Sequence, residues 1–133
     1  MNRMCLDTSA YSHFRRGEVA AVQAITSARE IFLPVVVLGQ LRTGFRLGRR
    51  PLDNERELRQ FLAHDAVRVV DVDQDVASLY ADIVIELREA GTPIPTNDVW
   101  IAACAAREAA TILTYDAHFR AVRRVGSRIL AAR

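Results

Sequence analysis

Along this chain, short runs of buried-type residues alternate with longer stretches whose apolar positions recur at helical spacing. Arg3–Leu6 reads as a short strand ending at Asp7. Thr8–Arg16 and Glu18–Ala28 carry helical spacing, with Gly17 as the break between them. Ile31–Leu33 reads as a second strand. Pro34 suits the first turn of the next helix, where its missing N–H would be unpaired anyway, and that helix runs to about Phe45. Leu52–His64 forms a further helix and Val67–Val70 a β-branched strand. Asp73 is placed to cap a helix over Val76–Ala90, which Gly91 ends. After Pro93 and Pro95, Thr96 or Asn97 opens a helix through Glu108. Thr111–Thr114 is a strand, Ala117–Val122 a short helix and Arg128–Leu130 a last strand. Strands alternating with helices predict an α/β fold whose mainly parallel sheet is covered on both faces.

The 133 residues suit one domain spanning 1–133, with no internal repeat, low-complexity stretch or linker. A hydrophobic fraction of 50% fits a chain that buries a core rather than a disordered one. No apolar run is long enough to cross a bilayer, and the opening MNRMCLDTSAYSHF lacks the apolar stretch of a signal peptide. No membrane association and a cytoplasmic location are therefore expected. Cys5 and Cys104 sit apart in apolar stretches and read as small core residues. His13, His64 and His118 fall in no zinc-binding spacing.

The net charge is only +2, yet all 18 basic residues are arginine. Having no lysine excludes a Walker A loop and Schiff-base catalysis, and it argues against an aspartyl-phosphate receiver.

The acids are placed suggestively. Function in open parallel sheets gathers at the carboxyl ends of the strands. Asp7 directly follows the first strand, Asp116 lies just past the Thr111–Thr114 strand, and Asp98 sits in the first turn of its helix. Gln40 lies about one and a half turns into the helix after the second strand. Carboxylates drawn together repel one another, and a hard divalent cation among them relieves that repulsion. All-oxygen ligation points to Mg²⁺ or Mn²⁺. Each acid also has a simpler role open to it: Asp7 and Asp116 as helix caps, Asp98 as a complement to a helix dipole. The run Asp71, Asp73, Asp75 lacks the glycine and downstream glutamate of a calcium loop, so capping accounts for it better.

LDTSAY, LGQLRTGF, TNDVWIAA and LTYDAHF resemble, in order and across nearly the whole chain, the four sequence blocks of PIN domains of the VapC type. These are the ribonuclease toxins of type II toxin–antitoxin pairs. The resemblance implies a three-layer α/β/α sandwich, divalent-metal-dependent endoribonuclease activity, homodimerisation and neutralisation by a small antitoxin. It implies that Asp7, Asp98 and Asp116 form the metal site, with Gln40 standing where the pattern has glutamate. Thr8, Asn97 and Thr114 fall beside these positions, where they can orient them by hydrogen bonds. Hydrolysis of RNA by a metal-activated water needs no nucleophilic side chain. The amide at 40 carries no charge, so weakened metal binding and turnover are expected, with a catalytically impaired RNA- or antitoxin-binding module as the alternative.

Arg42, Arg46, Arg49 and Arg50 cluster on and after the Gln40 helix and could track an RNA backbone, although a solvated helix face explains them equally. Arg120, Arg123, Arg124 and Arg128 make a second basic stretch with the same two readings. Val35–Leu38, the Val76–Ala90 helix and Trp100 could serve a dimer or antitoxin surface, with core packing the commoner use of such residues.

Overall fold

The computed structural model describes residues 2–131. Its elements run β1 (Arg3–Leu6), α1 (Thr8–Arg15), α2 (Val19–Ser27), β2 (Glu30–Pro34), α3 (Val35–Leu47), α4 (Pro51–Leu62), β3 (Val67–Val70), α5 (Gln74–Ala90), α6 (Thr96–Arg107), β4 (Thr111–Thr114), a short 3₁₀ helix (Ala117–Ala121) and β5 (Ser127–Ile129). The five strands form one sheet in the order β3-β2-β1-β4-β5, and every pairing is parallel. This is the expected three-layer α/β/α arrangement, with a sheet wholly rather than mainly parallel.

Boundaries follow local chemistry. Asp7 caps α1 by accepting from Ala10 N at 2.9 Å, and Asp73 caps α5 by accepting from Val76 N at 2.9 Å. Gly91 ends α5 in the left-handed region at φ 71°, a conformation that favours glycine. Pro34 differs from expectation. It stays in β2, in register with Val70, and its extended ψ of 143° delays the helix to Val35.

The core lies where helices meet the sheet. Tyr11, Phe32, Phe119, Leu6, Ile101 and Ile112 are its largest fully buried side chains along with several other aliphatics. Full burial of a side chain the size of Ile101 is worth about 1.5–3 kcal/mol. Helix α6 packs against β1, β2 and β4, and its buried run Ala102, Ala103, Cys104, Ala105 is small enough to bring its axis close to the sheet. Cys5 and Cys104 are buried and unbridged. Ile83 and Leu87 of α5 are buried and Leu79 packs partly against the core, so helical spacing there does mark a core face. Trp100 stacks on Tyr80 of α5 with ring centroids 3.9 Å apart. Among the described residues, no helix is long and apolar enough to cross a membrane.

The strand order places the site. From β1 the chain adds β2 and then β3 on one side, and it crosses back to lay β4 on the other side of β1. The order therefore reverses between β1 and β4, where the loops leaving two parallel strands part and open a crevice at their carboxyl ends. Asp7 leaves β1 and Asp116 lies two residues beyond β4, both at that rim.

Candidate metal centre

Asp7 is the buried anchor of the rim, only 5% exposed. Its Oδ1 accepts from Ala10 N at 2.9 Å and from Ser9 Oγ at 2.8 Å, and its Oδ2 accepts from Thr114 Oγ1 at 2.5 Å. Burial raises its pKa; these three hydrogen bonds oppose the rise and repulsion from Asp116 adds to it. Thr114, fully buried at the end of β4, also accepts the Asp116 backbone N–H at 2.9 Å. Ser9 Oγ accepts the Tyr115 N–H at 3.0 Å. The two strand ends are thus joined through hydroxyls as well as through backbone pairing.

Asp98, in the first turn of α6, faces the same crevice. Burial raises its pKa, repulsion from Asp116 and Asp7 raises it further, and His118 opposes the rise. Asp98, Asp116 and His118 each offer a ligand atom, and these atoms lie within 4.8 Å of one another. His118 Nδ1 stands 3.1 Å from Asp116 Oδ1 and 3.7 Å from Asp98 Oδ2. Capping turns out to be compatible with this role. Asp7 and Asp116 do cap the helices they precede, Asp116 Oδ1 accepting from His118 N at 2.9 Å, and both still belong to the acidic rim.

The structure brings Asp98 and Asp116 into one compact set and sets Asp7 close enough to repel both. Gln40 approaches from α3, its Oε1 accepting the Thr8 hydroxyl at 2.6 Å. Thr114 and Thr8 do hold neighbouring groups, Asp7 and Gln40 respectively. Asn97 is exposed, and no hydrogen bond among the described residues joins its side chain to an acid. His118 and Ser9 were passed over in the sequence. The spacing Asp116-x-His118 on a tight turn was the available signal for the histidine, since it returns the ring to its own carboxylate. Ser9 carried no distinctive signal.

The arginines divide. Arg42 forks onto Glu55 of α4 at 3.1 Å, and Arg50 pairs with Asp53 at 3.0 Å. Arg46 and Arg49 are exposed and have no carboxylate partner among the described ion pairs. In the second stretch, Arg124 is held by Glu86 at 2.5 Å.

The donor set fits a divalent cation. It is rich in carboxylate oxygen, Asp7 and the half-buried Asp98 have raised pKa values that a positive charge would reverse, and His118 adds one imidazole nitrogen.

The chain is also similar to known proteins. A family model for the PIN domain matches residues 4–125. Ribonuclease VapC4 of Mycobacterium tuberculosis is 34% identical over 88 residues, covering 66% of this chain and 68% of the relative. Ribonuclease VapC5 of the same organism is 30% identical over 117 residues, covering 88% of this chain and 85% of the relative. The crystal structure of VapBC2 from Rickettsia felis, bound to a DNA fragment from its promoter, superposes with a TM-score of 0.85 at 20% identity, over 97% of this chain and 99% of that one.

Proposed function

The chain belongs to the PIN-domain family, and we propose that it is a divalent-metal-dependent endoribonuclease acting as the toxin of a toxin–antitoxin pair. The observation that carries this reading is the gathering of Asp98, Asp116 and His118, with Asp7 near enough to repel both acids, at the crevice where strand order reverses. Relatives named as ribonucleases support the reaction class, and the VapBC likeness supports a small antitoxin as partner.

Asp98, Asp116 and His118 would hold the cation, with Asp7 completing its charge balance; Mg²⁺ or Mn²⁺ suits so oxygen-rich a set. When bound, such an ion supplies positive charge to a phosphate oxygen and lowers the pKa of a water. The protein supplies the rest. Thr114 and Ser9 hold Asp7 in one orientation, and the β1–β4 pairing fixes Asp7 against Asp116. Arg46 and Arg49, exposed and without an ion pair among the described residues, offer cations to the RNA backbone, which the acids alone would repel. A homodimer and a cytoplasmic location complete the proposal.

The test is cleavage of RNA by the purified chain with Mg²⁺ or Mn²⁺, set against the same reaction in EDTA and with Asp98→Asn and Asp116→Asn. Full cleavage in EDTA would overturn it. One observation favours a second reading, a catalytically impaired binding module: Gln40 brings no charge to the rim and its oxygen is engaged by Thr8. RNA or antitoxin binding without cleavage, with cleavage appearing in Gln40→Glu, would select that reading.

A further inference from the structure

We propose that Gln40 binds the RNA substrate and not the cation, its Nε2 donating to a non-bridging phosphate oxygen of the backbone. The inference rests on the ribonuclease reading and specifies what one of its rim residues touches. An amide has two ends, and here one is already used. Gln40 Oε1 accepts the Thr8 hydroxyl at 2.6 Å, and Thr8 directly follows Asp7 at the start of α1. The other end, Nε2, has no hydrogen-bond partner among the described residues, although the side chain is partly buried.

The local field favours this orientation. Asp7, Asp98 and Asp116 together carry three negative charges when ionised, and one divalent cation leaves the group with a net charge of about −1. Turned over, the amide would give up the acceptor that the Thr8 hydroxyl now uses. Keeping the oxygen on Thr8 leaves two N–H donors unengaged among the described residues, and N–H groups are suited to a phosphate oxygen, not to a cation.

There is also room for a backbone to reach it. Gly44 lies one helical turn beyond Gln40 on the same face of α3, and a Cβ added there would meet no neighbouring group within 4 Å. Gly39, beside Gln40, is equally open. At these two positions the helix carries no side chain, which leaves space beside the amide for an approaching polynucleotide.

The decisive comparison uses Gln40→Met and Gln40→Glu in the full chain, each checked for folding by circular dichroism. RNA affinity is read by fluorescence anisotropy with a labelled single-stranded RNA in EDTA, where metal-dependent cleavage is off. KM is read with Mn²⁺, and Mn²⁺ affinity by calorimetry without RNA. Losing a hydrogen bond to a charged oxygen should weaken RNA binding and raise KM about tenfold in Gln40→Met. The salt dependence of binding should not change, because the amide carries no charge. Mn²⁺ affinity should stay as in the wild type. Gln40→Glu should lose RNA affinity in EDTA while gaining Mn²⁺ affinity. Weakened Mn²⁺ binding in Gln40→Met would show that the amide oxygen is a metal ligand and overturn the proposal, as would RNA affinity and KM equal to wild type. If the wild-type chain neither binds nor cuts RNA, the ribonuclease reading itself fails and takes this inference with it.

Discussion

The hydroxyl of Thr114 donates to Asp7 Oδ2 at 2.5 Å while accepting the Asp116 backbone N–H at 2.9 Å, so one buried side chain ties together the acids of two neighbouring strands. Replacing it by the isosteric valine should leave a buried carboxylate short of a donor and a backbone N–H short of an acceptor. A hydrogen bond to a charged group contributes about 1.5–3 kcal/mol, so Thr114→Val should lower unfolding free energy by roughly that amount. Thr114→Ser should recover most of it. Urea unfolding of the three proteins checks this, and equal midpoints would show that Thr114 holds nothing.

The metal-free protein should lose stability as pH rises above the ordinary carboxylate range. Asp7 and Asp98 both have pKa values raised in the folded state, chiefly by burial. A raised carboxyl binds more protons folded than unfolded, so the slope of stability with pH is negative there. The contribution is fully present below the unfolded pKa of about 4 and lost as pH passes through the folded value. Thermal melts in EDTA from pH 4.5 to 7.5 should show a falling component that Asp7→Asn reduces. A curve that the substitution leaves untouched would contradict the assignment.

Asp98→Asn should separate folding from cation binding. It removes a charge that Asp116 and Asp7 repel, so the metal-free variant should melt at or above the wild-type temperature. The same change takes a carboxylate from the ligand set, so stabilisation by added Mn²⁺, which follows from binding to the native state alone, should shrink or vanish. Melting curves with and without Mn²⁺ read both effects. A variant less stable in EDTA yet equally stabilised by metal would argue that Asp98 is structural.

Much of this arrangement was legible in the chain. β1, β3 and β4 are marked by short β-branched or apolar runs with sharp terminators, and Asp73 and Gly91 bracket α5 by chemistry that acts within a few residues. The approach of Asp7 to Asp116 follows from parallel strands in a reversing order, which a family resemblance supplies and periodicity does not. Contacts between distant elements stayed hidden. Nothing local announces that Thr8 engages Gln40 or that Ser9 bridges Asp7 and Tyr115. Pro34 shows the limit of local rules, because its fixed φ suits a strand end as well as a helix start and register with Val70 decided between them.

The four arginines on and after α3 should behave as two kinds. Arg42 is clamped by Glu55, which Arg59 also holds, and these bonds keep the Glu55 pKa low. Arg42→Ala should therefore loosen the α3–α4 contact at a cost of up to about 1 kcal/mol, since the pair is partly exposed. It should leave the salt dependence of RNA binding unchanged. Among the described residues Arg46 and Arg49 have no such partner, which leaves them available to displace counterions from phosphate. Reversing both to glutamate should weaken RNA binding at low salt and flatten the plot of log affinity against log salt by about one unit per lost phosphate contact. Anisotropy titrations at several salt concentrations distinguish the two kinds. A slope that falls with Arg42→Ala but holds with the double reversal would move the RNA track one turn back along α3, to Arg42 beside Glu55, and away from the exposed arginines.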